Sequence, residues 1–106
     1  MKEGLKFSHI GIPTKDRKPP FRLEGGKLFF NNFEDEPYAV EWLNFDEDSP
    51  MPALLQNMPH IAFEVESIAK AIEGEKVIVE PFQPGPGMTC AFIEYDGIAI
   101  ELIEKS

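Results

Sequence analysis

The chain has 106 residues, 42% of them hydrophobic and nine of them Phe, which is enough for one domain with a modest core and too little for two independent ones. Ten Lys and Arg stand against 19 Asp and Glu, and the net charge of -9 disfavours phosphate backbones and anionic membrane surfaces, so neither nucleic acid nor membrane is expected as a partner. Cys90 is the single cysteine, which excludes an intramolecular disulfide framework. No apolar stretch approaches the roughly 20 residues of a membrane span, and the opening "MKEGLKFSHI" lacks the apolar run of a signal peptide, so a cytoplasmic location is expected.

In chain order the pattern is mostly strand. Leu5–Pro13, Lys27–Phe33, Tyr38–Phe45, His60–Glu66, Lys76–Phe82, Met88–Asp96 and Gly97–Lys105 are short runs rich in β-branched and aromatic residues, bounded by Pro, Gly, Asn or Asp. Thr14–Gly26 carries two prolines and two glycines and reads as a loop or at most a short edge strand. Asp46–Pro59 separates the two groups of strands, with a helical turn expected at Ala53–Asn57. "SIAKAIEG" is the one helical pattern: Ser67 can cap it, Ile68, Ala71 and Ile72 share a face, and Gly74 can end it. Asp96-Gly97 predicts a tight hairpin between the last two strands.

The two halves repeat each other. When "FSHIGIPTKD" is set over "MPHIAFEVES", His9 falls on His60, Ile10 on Ile61 and Gly11 on Ala62. When "YAVEWLNF" is set over "IAIELIEK", Ala39 falls on Ala99 and Glu41 on Glu101. Each half opens with a strand bearing His and closes with a strand bearing Glu. Strand alternation puts Leu5, Phe7, His9 and Gly11 on one face, and His60 with Ala62 and Glu64. Each of His9, Glu41, His60 and Glu101 therefore has Gly or Ala two positions away on its own face. A lone strand histidine is most often a hydrogen-bonding or surface residue, and a lone strand glutamate is most often solvated. Placed together on one concave face, the two imidazoles and two carboxylates form a suitable ligand set for a divalent metal.

With these residues in place, the chain resembles the vicinal oxygen chelate superfamily, which includes glyoxalase I, methylmalonyl-CoA epimerase, extradiol dioxygenases and fosfomycin resistance proteins. The resemblance covers nearly the whole chain. It implies an α+β fold of two βαβββ-type modules forming a cupped mixed sheet: module one about 5–45, a linker at 46–58 and module two about 59–105. Module one is shorter by nine residues between its His and Glu, and is expected to lack its helix and its second strand. By position His9, Glu41, His60 and Glu101 match the four metal-ligand places, and the set is similar to that of bacterial glyoxalase I. The implied ion is Ni, Zn, Mn, Co or Fe.

The resemblance also implies a metal-dependent lyase or isomerase that stabilises an enolate or enediolate of a small oxygenated substrate, with Glu41 or Glu101 as the base. The alternative on the same fold is a non-catalytic small-molecule binding or resistance protein. Arg17 and Arg22 are exposed loop residues that could meet a substrate carboxylate. Glu64, Glu80 and Glu94 read as exposed carboxylates, although a supporting or basic role is open, and Cys90 reads as a small strand residue. Phe29, Phe30, Trp42, Phe63 and Phe92 are core candidates, and "QPGPGM" (Gln83–Met88) reads as a turn at the rim of the cup. The shortened module and exposed strand edges predict a homodimer.

Overall fold

The structure is a computed structural model that describes residues 1–106. The chain runs β1 (Lys6–Pro13), β2 (Phe21–Leu23), β3 (Leu28–Phe30), a 3-10 turn at Phe33–Asp35, β4 (Val40–Phe45), α1 (Ala53–Asn57), β5 (His60–Glu64), α2 (Ile68–Ala71), β6 (Lys76–Gly85), β7 (Met88–Tyr95) and β8 (Ile98–Lys105). The strands form one curled 8-stranded sheet in the order β2-β3-β4-β1-β5-β8-β7-β6. β1 and β5 pair antiparallel at its centre, and each has the last strand of its own half as a parallel neighbour, β4 beside β1 and β8 beside β5. The two halves are thus related by an approximate two-fold axis between β1 and β5, as the sequence repeat predicts.

Local chemistry explains where the elements stop. The Ser67 hydroxyl accepts from the Lys70 N–H at 3.2 Å and caps α2, and Gly74 leaves the helical turn at φ +74°. Asp96 and Gly97 both take positive φ, the paired left-handed conformation that a two-residue hairpin requires. The first half has no counterpart of α2, and residues 14–20 pass directly to the three-residue edge strand β2. No helix is long and apolar enough to cross a membrane.

Three apolar clusters hold the sheet, the smallest of them Ala62, Cys90 and Ile103. On the inner face Leu28, Leu43 and Phe45 meet Phe92 and Ala99 through Leu55 of α1, which is 1% exposed, so the connection between the halves packs into the cup. On the outer face Ile68 of α2 covers Ala91, Ile93 and Leu102. Of the aromatic core candidates only Phe92 is fully buried; Phe29, Phe30, Trp42 and Phe63 are half-buried.

Four details depart from expectation. β2 brings the strand count to eight. β6 continues through Gly85, so most of "QPGPG" is strand and only Pro86-Gly87 turns. A register shift between Phe7 and His9 makes a bulge at Ser8. Phe7 therefore pairs with Phe63 on the outer face, half-exposed, instead of sharing the face of His9. Ala39 lies just before β4 at φ +54°, whereas Ala99 is inside β8, so the correspondence of the halves starts at Val40.

Candidate metal centre

The central strand pair positions the site. Across β1 and β5, His9 faces Ala62 and His60 faces Gly11, while Glu41 lies beside Gly11 and Glu101 beside Ala62. Each imidazole thus extends over a residue with little or no side chain. A Cβ built on Gly11 would lie 2.1 Å from Cε1 of His60, so only glycine leaves room for that ring.

All four sequence-predicted residues come together, with one potential ligand atom from each lying within 4.8 Å of the others. His60 Nε2 and Glu101 Oε1 are hydrogen-bonded at 3.0 Å. His9 Nε2 lies 3.3 Å from Glu101 Oε1 and 3.4 Å from Glu41 Oε1, yet makes no hydrogen bond to either. Both histidines are at most 2% exposed. For a neutral imidazole, a buried ring nitrogen wedged between two carboxylates without a hydrogen bond is a costly arrangement. It is the arrangement that a cation between these atoms would satisfy. The donor set of two imidazoles and two carboxylates suits a divalent transition metal, and this buried His/Glu cluster could hold such an ion.

The surroundings orient the ligands. Burial by itself would push the His9 pKa down, but the carboxylates of Glu101 and Glu41 outweigh it and raise it to about 9. Burial would raise the Glu101 carboxyl, and the bond to His60 with the nearby His9 ring holds it below the usual carboxylate range instead. Two residues outside the predicted ligand set touch His9. Ser8 Oγ lies 2.9 Å from His9 Nδ1, and the Phe33 ring stacks on the imidazole with centroids 4.2 Å apart. The edge of Phe92 meets His60 at 5.2 Å. Strict alternation would put Ser8 on the face opposite His9, and the bulge brings it to the ring. The sequence pattern puts Phe33 at the end of a strand, whereas β3 stops at Phe30 and Phe33 opens the 3-10 turn that leads to β4.

The remaining candidates lie elsewhere. Arg22 donates two bonds to the Asp46 carboxylate, at 2.9 and 2.8 Å, and lies over Phe29, so its guanidinium is already engaged. Arg17 stacks on Trp42. Glu64 pairs with Lys105 and Glu94 with Lys76 at the surface, and Glu80 is exposed. Cys90 is buried, and burial first, then the Glu101 carboxylate, drive its thiol far above the ordinary range, so it stays protonated.

Strand order, register and the site geometry decide the architecture. The fold is of the glyoxalase type. No protein-family model and no curated protein matches the chain. Among solved structures, the hypothetical protein BH1468 from Bacillus halodurans C-125 superposes with TM-score 0.69 at 24% identity, over 98% of this chain and 96% of that one. Methylmalonyl-CoA epimerase from Mycobacterium tuberculosis superposes with TM-score 0.63 at 16% identity, over 94% of this chain and 87% of that one. At these identities the likeness is one of fold, and the glyoxalase-type sheet accommodates more than one chemistry.

Proposed function

We propose that His9, Glu41, His60 and Glu101 hold a divalent ion (Ni, Zn, Mn, Co or Fe) and that the protein is a lyase or isomerase of the glyoxalase and epimerase type, acting on a small oxygenated molecule. The observation that carries this reading is the buried, unpartnered Nε2 of His9 facing the other three groups. The fold likeness to an epimerase supports it. When bound, such an ion supplies Lewis-acid stabilisation of the negative charge that develops on a substrate carbonyl as the adjacent carbon loses its proton.

The chain's own residues divide the work. Glu101 is hydrogen-bonded to His60 and lies 3.3 Å from His9 Nε2, and it stays in place as a ligand. Glu41 is the most exposed of the four, with 18% of its side chain accessible, and it makes no hydrogen bond to either ring. Its carboxylate is the one free to turn toward a substrate C–H, accept the proton at an Oε atom and return it to carbon. Phe33 and Phe92 pack against His9 and His60 and keep water from their ring faces. The shortened first half and the exposed Phe7 of β1 and Ile61 of β5 on the outer face of the sheet support a homodimer, and sedimentation as a monomer at micromolar concentration would argue against that assembly.

The test begins with metal analysis and reconstitution by dialysis against each of the five ions. Deuterium incorporation from solvent into α-hydroxy, α-keto and acyl-thioester compounds is then followed. Glu41→Gln is expected to keep the metal and lose exchange. Failure to bind any of the ions stoichiometrically sinks the metal centre. Full loading without exchange into any compound leaves a binding protein on this fold.

A further inference from the structure

On the inner face, one step along the strands from the histidine and glutamate cluster, lies a recess of about 210 Å³ between the ends of β1 and β4 and the C-terminal end of α1. Leu43 and Phe45 line it, with Thr14, Lys15 and Asn57 among its polar residues. Leu43 follows Glu41 by two residues, and Pro13 follows Gly11 by two and is in register with Leu43. The recess therefore begins about 7 Å along the sheet from the Glu41 position, on the same face.

Among its polar residues, Gln56 commits its amide NH2 to the Ser49 and Met51 carbonyls, which leaves Lys15, Thr14 and Asn57 as the available donors. Lys2, Arg22, Lys27, Lys76 and Lys105 are ion-paired, and Arg17 and Lys18 lie over aromatic rings. Lys15 has no carboxylate partner. The Thr14 Oγ1 accepts from the Asp16 N–H at 3.2 Å, which leaves its own O–H free to donate. The Asn57 amide is likewise uncommitted. Three residues able to donate thus line a recess with an apolar floor in a chain of net charge -9, where a free cationic side chain is in the minority.

We infer that this recess takes the carboxylate of the substrate, with Lys15 as its counter-ion and Thr14 and Asn57 as donors, so that the substrate class is a small carboxylic acid whose reacting carbon extends toward Glu41. The inference deepens the function proposed above and rests on it for the reaction, not for the binding of the acid. A recess below the ~300–1,000 Å³ typical of drug-sized ligands confines the bound part to a short-chain acid.

The probe is propionate, with the isosteric neutral propionamide as control, titrated into zinc-loaded protein and followed by amide chemical shifts. Propionate should shift Thr14, Lys15 and Asn57, and Lys15→Gln should weaken it by about fivefold to tenfold, the size of one partly exposed charged contact. Lys15→Arg should restore binding, propionamide should be indifferent to both changes, and zinc affinity should be the same in all three proteins. Equal propionate affinity in wild type and Lys15→Gln, or shifts confined to residues outside the recess, overturns the inference. If the protein takes up no zinc but propionate still binds in a Lys15-dependent way, the metal centre fails and the carboxylate recess stands.

Discussion

The His60 imidazole occupies the space that a side chain at Gly11 would fill, a Cβ there coming within 2.1 Å of Cε1. The two residues are cross-strand partners in the central pair, so the ring cannot retreat without leaving its bond to Glu101. Gly11→Ala is expected to destabilise the fold by about 1–3 kcal/mol, the usual cost of overpacking a filled interior. It should also lower metal affinity by displacing one ligand. Urea unfolding and a metal titration of the same variant check this; unchanged values in both would show that His60 has another place to go.

Ser8 reaches His9 because of the bulge. In the tautomer whose Nδ1 donates to the Ser8 hydroxyl, the neutral ring presents Nε2 to the cluster as the lone-pair nitrogen a metal requires. Ser8→Ala should cost about 10-fold in metal affinity, at the low end for partners that orient a ligating imidazole, while Ser8→Thr restores most of it. The d–d spectrum of the cobalt-loaded protein should shift in the alanine variant and not in the threonine one. Identical spectra in all three proteins would remove Ser8 from any positioning role.

Stability of chelator-treated protein should depend on pH with a definite sign. His9 rises from 6.5 to about 9 on folding, so its contribution is complete below pH 6.5 and is lost as pH climbs through 9, up to about 3 kcal/mol. Glu101 is lowered on folding, so its contribution is complete above its ordinary value of 4.5 and is lost as pH falls below it. The plateau should therefore lie between about pH 4.5 and 6.5, with a decline toward pH 9. An added divalent ion competes with the His9 proton and should move the optimum upward. Melting temperatures across pH 4–10 with and without zinc decide it, and a profile flat from pH 6 to 10 without metal would contradict the coupling of His9 to the two carboxylates.

Arg22 and Asp46 form a bidentate pair that ties β2 to the end of β4. Arg22→Gln should lower the urea midpoint slightly with an unchanged slope, and leave metal and propionate binding as they are. A loss of ligand affinity at unchanged stability would return Arg22 to the site.

Much of this architecture was legible in one dimension. Alternation with a period of two placed the strands and the faces of His60, Glu41 and Glu101, and the repeat of "SHIGI" in "PHIAF" related the halves before any coordinates did. Ser67, Gly74 and Asp96-Gly97 act on backbone within a few residues of themselves, so their consequences could be read where they stand. What alternation could not supply was any feature set by the partner strand. The bulge at Ser8 depends on how β1 meets β5, and it moved Phe7 to the outer face and Ser8 to the imidazole.

The same division holds for the site. By itself the sequence determined which residue types recur at equivalent points of the repeat and which small neighbours accompany them. Only the tertiary structure decided that their ligand atoms converge within 4.8 Å, that Leu55 of the connection packs into the cup, that Phe33 covers His9, and that Arg22 is engaged by Asp46 while Lys15 is left free. Local preferences act over a few residues and leave a signature in composition and period. Convergence, packing and pairing join residues 20 to 90 positions apart, such as the 24 between Arg22 and Asp46, and a chain carries no local mark of a partner it meets only when folded.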